Sequence, residues 1–199
     1  MPNAKDLVRA ILNSDESHFN ELAVKDATLD AATFKNAHVS ALRIHTIDAS
    51  KTEWEACIFD GTVFENINLE GAFFNGCSFH NCVFRHVVMT ETSFDGCVLH
   101  KTQIRSAADL EAAEITNCQF RECDLSDLHF VDSTLESLTF TAGAIRNLSG
   151  TAEVKSVALR GVAVEGFDTS EMTVSGCTAS ACDVVPAGFA ASAGRRRRV

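Results

Sequence analysis

The amino-acid sequence predicts an all-β protein, a solenoid in which short strands wind into coils that stack along one axis. Three observations lead to this fold class. A large apolar residue recurs at every fifth position from Phe59 to Leu99, a small or medium residue often stands two places before it, and glycine or asparagine often stands two places after it. A period of five fits neither an α-helix, at about 3.6 residues per turn, nor a flat strand, at about two. It is typical of repeat architectures, where a coil of about 20 residues buries its inner face only by stacking on other coils.

The repeating positions resemble those of a known family. The central apolar residues are Phe59, Phe64, Leu69, Phe74, Phe79, Phe84, Met89, Phe94 and Leu99, and the residues two places earlier are Cys57, Thr62, Ile67, Ala72, Cys77, Cys82, Val87, Thr92 and Cys97. This pattern resembles the pentapeptide-repeat family, although the position before the centre, often Asp or Asn there, holds residues such as Ile58 and Phe73 here. The resemblance implies a right-handed quadrilateral parallel β-helix, with four pentapeptides per turn and both kinds of residue pointing inward.

In chain order, the sequence divides into three parts. Residues 1–15 are expected to form a short capping helix, with Asn3 as N-cap and Leu7, Val8, Ile11 and Leu12 on one face; a partner-binding helix is the alternative. Residues 16–185 are expected to form the solenoid. One extra residue near 106–109 is interpreted as a bulge or small corner loop, and a second irregularity lies at 146–150. Residues 186–199 are expected to form a flexible basic tail.

Charge and hydropathy restrict the class of protein. The 199 residues include 27 acidic and 17 basic ones, for a net charge of −10, and four of the basic residues are Arg195–Arg198, so the body is more acidic still. Direct binding of nucleic acid by this body is not expected, because DNA affinity depends on cations that meet phosphates. The sequence has neither an apolar run long enough to span a membrane nor the pattern of a signal peptide, so we expect a cytoplasmic protein without a membrane segment.

The eight cysteines all stand two places before a central position: Cys57, Cys77, Cys82, Cys97, Cys118, Cys123, Cys177 and Cys182. We expect reduced, buried side chains that act as small hydrophobes, although disulfides between stacked coils are geometrically conceivable. Zinc binding by Cys77, His80, Cys82 and His86 is not expected, because the cysteines should point inward and the histidines outward. No cofactor or metal is predicted.

The sequence offers no catalytic constellation. It lacks a nucleophile elbow and a clustered glycine-rich phosphate loop, since its glycines recur with the repeat. A packed, narrow solenoid also leaves little room for a concave substrate pocket. The sequence therefore predicts a protein that is not an enzyme and that acts through its surfaces.

The charges sort unequally onto the four faces of such a solenoid. We number the faces from one to four by the central residues Phe59, Phe64, Leu69 and Phe74. Acidic residues collect on the third and fourth faces, whereas the second face has several arginines. In the resembled family, acidic rod-shaped members mimic DNA and occupy the DNA-binding saddle of DNA gyrase or topoisomerase IV. The resemblance therefore implies a type II topoisomerase as partner, and the predicted contact residues are Glu70, Glu91, Asp109, Glu111, Asp132, Glu55, Asp95 and Glu136. An acidic surface kept only for solubility is the alternative.

A second hypothesis is a scaffold or adaptor that docks an unidentified protein through apolar side chains. The residues before five centres should point outward: Ile58, Val63, Phe73, Val83 and Val98. Exposed apolar groups can mark an interface, but β-favouring residues on a wall would look the same. The resemblance also implies a possible homodimer through the C-terminal coils, to which Phe189 could contribute.

Overall fold

The computed structural model describes residues 23–24, 29, 31–105 and 110–191, all of them in strands, turns or irregular segments. In chain order the strands are β1 (Ala23–Val24), β2 (Thr33–Lys35), β3 (His38–Ser40), β4 (Arg43–His45), β5 (Glu53–Glu55), β6 (Ile58–Asp60), β7 (Val63–Glu65), β8 (Phe73–Asn75), β9 (Ser78–His80), β10 (Val83–Arg85), β11 (Ser93–Asp95), β12 (Val98–His100), β13 (Gln103–Arg105), β14 (Leu110–Glu111), β15 (Glu114–Thr116), β16 (Gln119–Glu136), β17 (Thr139–Lys155), β18 (Ala158–Arg160), β19 (Ala163–Phe167), β20 (Thr173–Ser175), β21 (Thr178–Ser180) and β22 (Ala190–Ala191). The capping helix expected at residues 1–15 and the four arginines lie outside the described residues.

The strands form a four-sided parallel solenoid of about seven turns. Each strand pairs with the strand one coil later, as β6 does with β9 through Phe59 and Phe79. The first, second and fourth faces have strands of three residues in the early coils, whereas the third face has only single bridges there, such as the one between Asn68 and Val88. The predicted all-β parallel solenoid is confirmed.

The core explains the period of five. Central residues and the small residues before them point inward, so that both Phe59 and Cys57 are fully buried. The rings stack from coil to coil, with centroids 4.9 Å apart for Phe59 and Phe79 and 4.5 Å apart for Phe64 and Phe84. Two places after most centres the backbone has a positive φ, which glycine and asparagine adopt at low cost. Gly and Asn thus turn some of the corners, whereas residues such as Ala41, Lys51 and Glu91 hold the same backbone conformation at others.

The predicted extra residue near 106–109 is visible in the strand register. Phe84 pairs with Ile104 at an interval of 20 residues, but Phe94 pairs with Ile115 and Leu99 with Phe120, at intervals of 21. Residues 106–109 themselves are outside the described part. The coil absorbs one inserted residue and stacking resumes in the next coil.

The second predicted irregularity shortens a coil by one residue. Phe130 pairs with Gly150, whereas Leu135 pairs with Val154, so the interval falls from 20 to 19 residues. Gly150 has a φ of 107°, and a Cβ there would lie 1.9 Å from the carbonyl oxygen of Phe130. Only glycine fits this close approach of two coils.

The C-terminal end is less regular than the sequence suggested. Val184 stands five residues after the buried Ala179, where the repeat predicts another buried central residue, but it is 54% exposed. Phe189 is buried instead, with its ring 5.9 Å from that of Phe167. Ala190 pairs with Thr178 in the strand ladder, so residues 190–191, expected in the tail, belong to the sheet. A homodimer through these coils stays a prediction.

Candidate functional site

The third face presents its acidic side chains on tight turns. The N–H of Ala72 donates to the carbonyl of Leu69 at 2.8 Å, and the N–H of Thr92 donates to Met89 at 3.3 Å. Glu70 and Glu91 occupy the middle of these two turns, with positive φ at Gly71 and Glu91 as in a type II turn. The turns therefore hold both carboxylates outward, where they are exposed.

Four of the predicted contact residues form a row on successive coils. Glu111 and Asp132 continue the series begun by Glu70 and Glu91, as the N–H of Glu91 donates to the carbonyl of Glu111 at 2.8 Å. The row rises by one inter-strand spacing, about 4.8 Å, per carboxylate. All four are exposed, and none forms an ion pair with another described residue. We call Glu70, Glu91, Glu111 and Asp132 the acidic row.

Each of the described fourth-face candidates has a partner within the chain, and in the acidic row Asp132 likewise accepts a hydrogen bond from Thr151, at 3.2 Å. Glu55 pairs with Lys35 at 2.5 Å and Glu136 with Lys155 at 3.3 Å. Asp95 accepts hydrogen bonds from Asn117 at 2.8 Å and from Thr116 at 3.0 Å, and these bonds hold the pKa of its carboxyl below the usual range. Exposed pairs of this kind are weak, but they leave the fourth face with less free negative charge than the acidic row. The remaining candidate, Asp109, lies outside the described residues.

The second face carries a charge network that the sequence tally did not identify. Glu65 accepts a hydrogen bond from Arg43 at 3.0 Å and lies 3.6 Å from Arg85, and its side chain is only 15% exposed. The hydrogen bond from Arg43 lowers the pKa of Glu65. Glu65 and Arg85 are register partners on neighbouring coils, so their separation of 20 residues was the signal available in the sequence. The arginines of this face are thus partly neutralised.

The apolar candidates do not form one patch. Ile58 and Phe73 are 42% and 39% exposed, but they lie on the first and fourth faces, where their register partners are polar. Val63 and Val83 are half-buried neighbours on the second face, and Val98 is half-buried on the first. Only Ile58 and Phe73 among these five present a large exposed apolar surface.

The cysteines occupy the core. Seven are buried, Cys182 is half-buried, and all eight are free thiols. Burial raises the pKa of the Cys82 thiol to about 12, so it is protonated near neutral pH. Cys77 and Cys82 are fully buried, whereas His86 is exposed on the wall. Among the described residues, no group of three or more metal-binding side chains is arranged to hold an ion.

The comparisons with known proteins agree with this geometry. Residues 57–103 match the family model described as pentapeptide repeats, with nine copies. Comparison with curated protein sequences gives no match. No helix in the described part of the chain is long and apolar enough to cross a membrane.

Two solved structures were matched, and only the first of them superposes with a TM-score above 0.5. A trypsin-treated variant of QnrB1, a plasmid-mediated fluoroquinolone resistance protein, superposes with a TM-score of 0.56 at 12% identity, over 89% of this chain and 87% of that one. HetL, a pentapeptide-repeat protein involved in heterocyst differentiation regulation from the cyanobacterium Nostoc sp. strain PCC 7120, gives a TM-score of 0.32 at 12% identity, over 95% and 94% of the two chains. At 12% identity the likeness to QnrB1 concerns the fold alone.

Proposed function

Because its repeats and its solenoid make this chain a pentapeptide-repeat protein, we propose that it acts without catalysis as an acidic mimic of DNA. Its partner is a type II topoisomerase, DNA gyrase or topoisomerase IV, which it modulates or protects from inhibitors. The observation that carries the proposal is the acidic row, four exposed carboxylates on successive coils without an ion pair among the described residues. The fold shared with a fluoroquinolone resistance protein supports it.

Charge density limits what the acidic row can do alone. A strand of B-DNA has one phosphate per about 3.4 Å of axis, whereas the acidic row has one carboxylate per about 4.8 Å. The row therefore matches part of one phosphate strand, and exposed neighbours such as Glu53 and Glu114 on the fourth face add to the field. A saddle lined with Lys and Arg would be attracted electrostatically, and its binding would weaken as salt rises.

The direct test is a supercoiling assay with purified gyrase, with and without this protein and a fluoroquinolone. We expect the protein to change supercoiling or to restore it in the presence of the drug. The variant carrying Glu70→Gln, Glu91→Gln, Glu111→Gln and Asp132→Asn should lose most of this effect, and its binding should depend less on salt.

A matched control variant distinguishes an effect of the acidic row from an effect of the net charge of the protein. Asp60→Asn, Glu122→Gln, Asp127→Asn and Glu165→Gln remove the same number of charges from the first and second faces, and this variant should keep the effect. If both variants lost the effect on supercoiling equally, the interaction would depend on the net charge and not on the acidic row. If the parent protein did not change supercoiling, the proposed mechanism would be excluded.

The adaptor hypothesis is supported by a separate observation, the exposure of Ile58 and Phe73. Large apolar side chains exposed on an outer wall are available to a partner. A pull-down with Phe73→Ser should lose that partner, and Val83→Ser, which alters a half-buried residue, should weaken it less. Unchanged capture by both variants would count against docking through these faces.

A further inference from the structure

Four cysteines occupy one buried column on consecutive coils: Cys57, Cys77, Cys97 and Cys118. Residues on either side of the last pair are register partners, Asp95 with Thr116 and Val98 with Gln119. The two thiols therefore stand on adjacent rungs of the ladder, about 4.8 Å apart at the backbone. The proposed surface function does not use them.

The thiols of Cys97 and Cys118 also share one orientation. Each donates to a backbone carbonyl of the preceding coil, Phe74 at 3.4 Å and Phe94 at 3.5 Å respectively, and to the carbonyl two residues earlier, at 3.5 Å and 3.0 Å. Because the same bonds require the same rotamer, the sulfur atoms are separated by about one coil spacing, near 4.8 Å. This distance is far longer than a disulfide of about 2.05 Å.

The same distance suits a linear metal bridge. A metal–thiolate bond is about 2.3 Å long, so a linear sulfur–metal–sulfur unit spans close to one coil. Soft cations prefer thiolate ligands, and a divalent ion bound by two thiolates is neutral, which the dry core tolerates. A monovalent ion would leave one negative charge buried, at considerable cost.

One further feature distinguishes this pair from the other rungs. It is not the bond from the N–H of Cys97 to the sulfur of Cys118 at 3.3 Å, because the N–H of Val157 donates to the sulfur of Cys177 in the same way, at 3.4 Å. The central residues on both rungs, Phe94, Leu99, Ile115 and Phe120, border an apolar internal space of about 40 Å³. In contrast, Cys57 and Cys77 lie between stacked rings that do not border this space.

We propose that Cys97 and Cys118 form a two-coordinate site for a soft divalent cation, of which the mercuric ion is the representative. In the binding step, mercuric chloride exchanges both chlorides for the two sulfurs, and the two thiol protons leave with the chlorides as hydrochloric acid. No electron is transferred. Entry requires a transient opening of the coil, so uptake is slow.

The test uses the full chain incubated with mercuric chloride, then treated with excess glutathione to remove loosely held metal, and analysed by native mass spectrometry. We expect one retained ion per chain, so that the mass rises by one mercury less the two displaced protons. Cys97→Ala and Cys118→Ala should lose the retained ion. Cys57→Ala, Cys82→Ala and Cys123→Ala should keep it, the last two because their register neighbours, such as Thr102, are not thiols.

A variant that gains a second metal site distinguishes loss of a ligand from misfolding, because a variant that merely misfolds does not bind an additional ion. Thr102→Cys places a new thiol one rung from Cys123, between Leu99 and Ile104, which border the same internal space. This variant should retain a second ion. No retained ion in the parent chain, retention in Cys97→Ala or Cys118→Ala, or no second ion in Thr102→Cys would each overturn the assignment.

Discussion

The early and late halves of the solenoid follow the same repeat with different cores. Residues 31–105 keep an interval of 20 residues throughout and stack aromatic rings, as in the pair Phe34 and Trp54 at 4.0 Å. Residues 110–191 contain intervals of 20 and 19 and centres that are mostly aliphatic, and the internal space of about 40 Å³ lies mainly among them. In this chain a uniform coil length therefore accompanies centres that are often aromatic, although Val39 and Ala49 are exceptions, whereas mostly aliphatic centres coexist with length changes and imperfect filling.

Truncating one ring should produce the largest contrast between the halves. Phe79 is fully buried and its ring stacks on that of Phe59. We expect Phe79→Ala to lower the free energy of unfolding by about 3 to 5 kcal/mol. Leu125→Ala, beside the internal space of the late half, should cost about 2 kcal/mol, because its neighbours already lack some contacts. Urea unfolding measures both, and equal losses would contradict the proposed difference in packing.

The shortened coil should be the most sensitive backbone position of the late half. Gly150→Ala places a Cβ against the carbonyl oxygen of Phe130, 1.9 Å away in the unrelaxed structure. We expect a loss of about 3 kcal/mol or more. The control is Gly76→Ala, which also has positive φ but nothing within 4 Å of the added Cβ, and which should cost about 1 kcal/mol. Similar shifts of the urea midpoint would show that close packing of the coils is not the cause.

Enlarging a central residue should raise the free energy of unfolding in the late half and lower it in the early half. Ile115 follows Phe94 in the fourth-face stack and borders the internal space. Ile115→Phe should extend the aromatic stack and raise the free energy of unfolding by about 1 kcal/mol. Leu69→Phe in the filled early half should lower it by about 1 to 3 kcal/mol through overpacking. Thermal unfolding of the two variants tests the sign directly, and destabilisation by both would mean that the late core is already full.

The smallest expected effect lies at the junction, where Asp95 accepts bonds from Asn117 and Thr116 across the inserted residue. These bonds depress the pKa of Asp95 below its usual 3.8. Their contribution to stability is therefore fully present above pH 3.8 and is lost as the pH falls through the lower pKa of the folded protein. Asp95→Asn should remove this part of the acid dependence measured by urea unfolding from pH 5 to pH 2 (about the range where carboxyls titrate). An unchanged acid profile would assign the dependence to other carboxyls.

The fold could be predicted from the sequence because side-chain size alternates with a fixed period. Inward positions such as Cys57 and Phe59 admit only small and large apolar residues respectively, and both length changes were visible as shifts of that period. The exposed Val184 was not predictable in this way, since pairing of Ala190 and burial of Phe189 depend on how the chain returns over the last coil.

The candidate site was predictable in position but less so in charge. The five-residue register assigns each acidic residue to a face of the solenoid and predicts that the side chains of the acidic row point outward, as they do in the structure. The pairing of Glu55 with Lys35 and of Glu136 with Lys155 was overlooked, although each partner stands about one coil away in the sequence. Comparing each charge with the residues 19 to 21 places away, the intervals between most register partners in this chain, identifies these two pairs. It also matches Glu70 with Lys51, which form no ion pair in the structure, so the sequence alone does not tell which carboxylates of the row are unpaired.

The in-register pairing of coils also has a consequence for how such a chain can change length. Each coil contacts only its neighbours, so stability is approximately a sum of local terms. Removing or duplicating residues 59–78, one interval between the register partners Phe59 and Phe79, would rejoin identical positions and leave every other rung intact. The length of the solenoid, and with it the length of surface that a partner can contact, can therefore be changed by evolution or design in steps of one whole turn.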